Sequence, residues 1–218
     1  MRLGILGGTF DPIHLGHLRI AEEMCEDLDL EKVLLIPGAL PPHKDGKAVT
    51  LFSDRLAMTR IAAQASPFLD VLDLEGRRGG ISYSIETLRE IRRILGERVD
   101  LYFIIGMDAF HDIKTWKEYR NLFEDANFVV IKRPGFSFKE LGPFVLSLGV
   151  GFRRGGNGDC FFIPSGNSLI YKEATLLEIS STRIREMLAA GKSIRFLVPE
   201  PVISYISDKG LYRRDERS

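Results

Sequence analysis

Four short apolar runs set the limits on what this chain can fold into: residues 3–6, 33–36, 101–105 and 128–131. Each is too brief for a helix and lacks polar alternation, as expected of strands buried on both faces. Gly7-Gly8 ends the first run and Pro37 the second, both residue types that punctuate a strand. Between the runs the apolar spacing turns helical, with Leu15, Leu18, Ala21, Met24 and Leu28 in one set. Ile85, Leu88, Ile91 and Leu95 form another, with Ser82 or Ser84 as its cap. Ser53-Asp54 read as the cap and first-turn acid of a helix carrying Ala57, Ile61 and Ala65 on its apolar face. Strands alternating with helices predict an α/β fold: a doubly wound parallel sheet with helices on both faces.

The pattern changes toward the C-terminus. Residues 149–158, glycine-rich and containing Arg153 and Arg154, read as a flexible surface loop, and residues 161–163 are apolar again. Ser180-Ser181-Thr182 then open a helix bearing Ile184, Met187 and Leu188, closed by Gly191. A last helix starts at Pro199 and carries Val202, Ile203 and Ile206. The expectation is one unit over 1–218, with a core over about 1–180, a small helical part over about 181–212 and a frayed tail.

Charge and cysteine usage narrow the partners. Thirty basic residues balance thirty acidic ones, so no overall field gathers nucleic acid or an anionic membrane, and any anion site must be a local pocket. No apolar run approaches the roughly 18 residues a membrane span requires, and the N-terminal run is too short for a signal-peptide core. Cys25 and Cys160 cannot build a disulfide framework or a four-cysteine zinc site; they read as small reduced hydrophobes in a cytoplasmic protein.

Chemistry concentrates after the first strand, in Gly7-Gly8-Thr9-Phe10-Asp11-Pro12-Ile13-His14-Leu15-Gly16-His17. In open α/β sheets ligands bind at the carboxyl ends of strands, near the point where strand order reverses. Two glycines let the backbone turn tightly, and the free N–H groups of the following helix favour an anion. His14 and His17 are three apart, so at a helix start they share one face and can donate to phosphate oxygens. Gly16 leaves room for those phosphates. A Walker-type loop would need a lysine that is absent. Zinc would need a third ligand, for which only Asp11 is near. Gly106 and Asp108 end another buried run, where a carboxylate can accept from sugar hydroxyls.

The first string resembles the signature of the nucleotidyltransferase superfamily with a histidine-x-glycine-histidine motif, and Ile179-Ser180-Ser181-Thr182-Arg183-Ile184-Arg185 resembles its second signature. With Pro41-Pro42-His43-Lys44, Ser82-Tyr83-Ser84, Ile104-Ile105-Gly106-Met107-Asp108, Thr115-Trp116 and Lys132-Arg133-Pro134-Gly135 in order, the chain is similar to the bacterial nicotinate-nucleotide adenylyltransferases from residue 1 to about 213. About 136–172 departs, being longer and richer in glycine, and Cys160 there gains no role; Ser84 stands where many members have threonine and keeps the hydroxyl.

The resemblance implies a Rossmann-like fold, ATP and nicotinate mononucleotide as partners, magnesium arriving with ATP rather than in a protein metal site, and pyrophosphate release. It leaves homo-oligomerisation open. It puts His14 and His17 on the α-phosphate and the leaving pyrophosphate, with Arg185 on the outer phosphates. Gly7, Gly8, Thr9, Phe10, Gly16, Gly106, Asp108, Ser180, Ser181 and Thr182 would form the ATP site. Lys44 and Arg133 would contact phosphate. Trp116 would offer its ring face to the pyridinium, and N–H groups around Ser84 would meet the ring's carboxylate. Segments 41–50 and 107–120 are the expected movers.

Overall fold

The computed structural model describes residues 1–40, 49–96, 98–132, 138–155 and 160–213. Lys44 and Arg133 therefore lie outside the described residues. In chain order the first half runs β1 (Arg2–Gly8), α1 (Leu15–Asp27), β2 (Lys32–Pro37), α2 (Phe52–Ala63), β3 (Leu69–Val71), α3 (Leu74–Arg78), α4 (Ser84–Leu95) and β4 (Asp100–Gly106). Then follow α5 (Met107–His111), a 3-10 turn (Ile113–Thr115), α6 (Tyr119–Asp125), β5 (Asn127–Ile131) and α7 (Phe138–Leu146). The last elements are β6 (Arg153–Arg154), β7 (Cys160–Phe162), β8 (Ser168–Lys172), α8 (Ser181–Ala189) and α9 (Glu200–Asp208).

The strands form one eight-stranded sheet in the order β3-β2-β1-β4-β5-β8-β7-β6. Neighbours from β3 through β8 pair in parallel, and β7 and β6 extend the sheet antiparallel. Successive residues of the central strands face opposite sides, so one apolar run feeds two cores. Leu101, Phe103 and Ile105 of β4, with Phe128 and Val130 of β5, pack under α3 to α7. Tyr102, Ile104, Val129 and Ile131 pack against α1, α2, α8 and α9. The expected doubly wound sheet is thus present, and its two-sided burial explains why these strands read as unbroken apolar runs.

Strand order reverses at β1. The pairing of β1 with β2 continues to Gly8 opposite Pro37, whereas its pairing with β4 stops at Leu6 opposite Ile104. The ends of β1 and β4 therefore part, and Gly7, Gly8 and Gly106 stand at the mouth of a crevice.

Four local expectations are corrected. Helix α2 is capped by Leu51 rather than Ser53, because Phe52 is already fixed by packing over Gly76; a Cβ there would lie 2.0 Å from the Phe52 ring. Its buried face is Arg55, Met58, Thr59, Ala62 and Ala63, not Ala57, Ile61 and Ala65; an arginine at a core position hid the true period. Helix α4 is capped by Tyr83, since the Ser82 hydroxyl instead accepts the Ala39 N–H at 2.9 Å. Arg153 and Arg154, expected in a flexible loop, pair with Phe162 and Phe161 as the edge strand. Among the described residues no helix is long and apolar enough to cross a membrane.

Candidate active site

The first string folds as a strand end, a tight turn and a helix start. Gly8 is forced by its neighbour: Phe10, at φ +48, turns its ring back so that a Cβ on Gly8 would lie 2.7 Å from it. The Asp11–Pro12 bond is cis, and His14, in extended backbone, is the N-cap of α1. The Leu15 N–H donates to the Leu197 carbonyl at 3.0 Å, fastening this helix start to the segment before α9.

His14 and His17 stack with ring centroids 3.6 Å apart and planes inclined by 22°. Phe10 meets His17 edge-on at 5.0 Å. A Cβ on Gly16 would lie 3.1 Å from His14 Nδ1 and 3.4 Å from the Leu177 carbonyl. A side chain there would crowd the His14 ring, so glycine helps to seat that ring.

Burial lowers the His14 pKa to about 4. His17 is lowered as well, chiefly by burial and secondly by His14 beside it. Both rings are therefore neutral near pH 7. The His17 Nδ1 accepts the His14 backbone N–H at 3.2 Å, which leaves the ring proton of His17 on Nε2 as a donor. His14 Nδ1 is buried and has no hydrogen-bond partner among the described residues.

This pair should make the protein acid-sensitive. An unfolded His14 titrates near 6.5 and the folded one near 4, so the unfolded chain holds the extra proton between those values. The stability involved is complete above about pH 6.5 and lost as pH falls toward 4, about 3 kcal/mol for His14 at the acid end. Urea midpoints measured from pH 7 to 4.5 should fall steeply in the wild type and more gently in His14→Asn. Equal slopes would remove His14 as the cause.

The second string arrives from the other end of the chain. The Ser181 hydroxyl, at the start of α8, donates to the Pro12 carbonyl at 2.9 Å. That fixes its proton on the turn, so its side chain docks the helix there. Arg185 Nη1 donates to the Asp11 carbonyl at 2.7 Å, and Nη2 to the Thr182 hydroxyl at 3.4 Å. Ser180 is the exposed N-cap of α8. Arg183 points outward to Glu186 at 3.4 Å.

The Asp11 carboxylate is committed to donors of the protein itself. It is 2% exposed; Oδ1 accepts the Tyr212 hydroxyl at 2.7 Å and Oδ2 the Thr50 N–H at 3.4 Å. Arg185 Nη1 stands 3.8 Å from Oδ2. Among the described residues no three His, Cys, Asp or Glu side chains are grouped to hold a metal.

At the end of β1 the crevice opens into a cavity of about 300 Å³, whose walls include Gly8, Thr9, Ser84, Phe103 and Trp116. Trp116 is half-buried, its ring edge-on to Phe103 at 6.2 Å, so it serves the core and the cavity wall together. Ser84 is the first residue of α4, where N–H groups have no intrahelical acceptor. Gly106 and Asp108 lie at the β4–α5 junction, both exposed.

One residue central to this geometry escaped sequence reasoning. Arg55 is 1% exposed and donates to four backbone carbonyls: Thr9 at 2.6 Å, Gly38 at 2.7 Å, Thr50 at 2.9 Å and Ala39 at 3.0 Å. Burial pulls its pKa below the usual arginine value, opposed by Asp11 first among its neighbours. The available signal was its position three before Met58 and seven before Ala62 on the buried face of α2.

A mostly parallel sheet with a glycine-lined switch point thus brings two stacked neutral histidines and an arginine from a distant helix to one strand end, the place where α/β proteins bind nucleotides. The description of the cytidylyltransferase-like family matches residues 5–187. A curated protein of Syntrophotalea carbinolica, named "Probable nicotinate-nucleotide adenylyltransferase", is 47% identical over 100% of both chains. One of the same name from Geobacter metallireducens is 44% identical over 99% of this chain and 100% of its own. The chain belongs to the nicotinate-nucleotide adenylyltransferase family of cytidylyltransferase-like proteins. The fold is shared with the nicotinic acid mononucleotide adenylyltransferase of Plasmodium falciparum complexed with NaAD, at TM-score 0.73 and 21% identity over 97% of each chain.

Proposed function

We propose that this protein joins ATP to nicotinate mononucleotide, giving nicotinate adenine dinucleotide and pyrophosphate, and that residues 1–218 act in it as one nucleotidyltransferase unit. The observation carrying this reading is the shared strand end: Gly8 and Thr9 border the ring-sized cavity, while the turn they open holds His14, His17 and the Arg185 contact.

In this reaction a phosphate oxygen of the mononucleotide attacks the α-phosphorus of ATP. A new P–O bond forms, the bond from the α-phosphorus to the bridging oxygen breaks, and its electron pair leaves with pyrophosphate. The attacking oxygen is already ionised at neutral pH, so the site needs alignment and charge stabilisation rather than a strong base. The His17 Nε2–H and the Arg185 guanidinium supply donors where charge develops, and the first N–H groups of α8 add to them. Gly7, Phe10, Gly16, Ser180, Ser181 and Thr182 shape the phosphate end; Gly106 and Asp108 face the sugar side. Magnesium enters as part of the ATP substrate. The roles of Lys44 and Arg133 on phosphate rest on the sequence resemblance.

Trp116 and the start of α4 at Ser84 would hold the pyridinium and its carboxylate. A ring face is worth roughly 0.5–2 kcal/mol to a cation, so Trp116→Ala should raise KM for the mononucleotide about 2- to 30-fold with kcat little changed, and Trp116→Phe should recover most of it. Initial rates at varied mononucleotide concentration check this.

The test of the function itself is pyrophosphate release from ATP and magnesium with nicotinate mononucleotide, nicotinamide mononucleotide or phosphopantetheine as acceptor. Turnover confined to the nicotinate form is expected. Preference for the nicotinamide form would overturn the assignment of Ser84, and turnover with no acceptor would overturn the reading.

A further inference from the structure

We infer that Tyr212 is a positioning residue for adenylyl transfer, holding the Asp11 carboxylate so that Arg185 stays available to phosphate. This rests on the function proposed above and adds a residue to it. Tyr212 lies 201 positions from Asp11, yet its hydroxyl donates to Asp11 Oδ1 at 2.7 Å. The Tyr212 backbone is held at φ +63, a conformation a bulky side chain adopts at a cost. Its ring packs at the edge of the core beneath α1, α2, α8 and α9.

The geometry at Arg185 gives this contact its consequence. Arg185 Nη1 is held at 2.7 Å by the Asp11 carbonyl, a neutral acceptor, and is 3.8 Å from the carboxylate Oδ2. The arginine is thus oriented by a dipole while the nearby full charge is occupied by two other donors, Tyr212 Oη and Thr50 N. A buried carboxylate that loses one donor draws in the next, because an unsatisfied charge in the interior is costly. Without the tyrosine hydroxyl, Asp11 would rotate onto Arg185 and close the 3.8 Å gap as a direct charge-assisted pair. The guanidinium would then be committed to Asp11 rather than to the leaving pyrophosphate.

Tyr212→Phe removes the hydroxyl and keeps the ring. Its kcat should fall about tenfold, with KM for nicotinate mononucleotide unchanged and the melting temperature within about 2 °C of wild type. In an Arg185→Gln background, where no charge remains to be captured, the same substitution should change kcat less than twofold. Adding Asp11→Asn to Tyr212→Phe should restore kcat to within about threefold of the Asp11→Asn single variant, since an amide does not trap arginine. Equal losses in both Arg185 backgrounds, or an unchanged kcat in Tyr212→Phe, would overturn the inference. If the wild type turns over none of the acceptors, the function reading fails by itself. Tyr212 is then decided by calorimetric Kd values for Mg·ATP in the same variants: about tenfold weaker binding only where Arg185 is present supports it, and any other pattern overturns it.

Discussion

His17→Ala is expected to lower kcat by about 100- to 1,000-fold, the cost of losing one preorganised donor to a developing charge, roughly 2.7–4 kcal/mol. His17 Nδ1 is committed to the His14 backbone N–H, so the ring offers its remaining Nε2–H in one fixed direction. The ring is held by the His14 face at 3.6 Å and the Phe10 edge at 5.0 Å. A donor so restrained needs no reorganisation as charge moves onto pyrophosphate. KM for the mononucleotide should move little, because the cavity at Trp116 is untouched. Steady-state rates at saturating ATP decide it; a kcat within tenfold of wild type would take His17 out of the charge-stabilising set.

Arg55→Met should be the most damaging single change to stability, about 3–5 kcal/mol, with a melting temperature lower by about 10 °C. Methionine matches the length of the stem but removes every donor, leaving the carbonyls of Thr9, Gly38, Ala39 and Thr50 without the arginine that gathers them. Each lost contact to a buried carbonyl costs on the order of 1 kcal/mol or more. Arg55→Lys should recover only part of this, since one ammonium cannot span four acceptors on three segments. Thermal melts of the three proteins check the ranking, and a methionine variant melting within about 2 °C of wild type would refute it.

Reading of the fold from sequence succeeded where burial is two-sided. Residues 33–36 and 128–131 are apolar on both faces because helices cover both, so composition alone marks them. The edge strand Leu69–Val71 pairs on one side only and puts Asp70 to solvent; three residues with a carboxylate in the middle carry no such mark. Helices α3 and α5, five residues each, are too short to show a period. In the site, the strings around His14 and Arg185 were legible because each is local. Asp11, Arg55 and Tyr212 were not, since their roles come from hydrogen bonds spanning 46 and 201 positions between ordinary residue types. Such pairs leave no spacing to read.

The turn after β1 is finished by donors and acceptors from the far end of the chain: Ser181 on Pro12, Arg185 on Asp11, Leu197 on Leu15 and Tyr212 on Asp11. On a ribosome the N-terminal strand and both histidines emerge first, and domains begin to organise as they appear. A growing chain thus carries its histidine pair before the arginine and the tyrosine that reach the same turn have been made. The turn that holds the histidines is therefore braced only after α8, α9 and Tyr212 have docked on it.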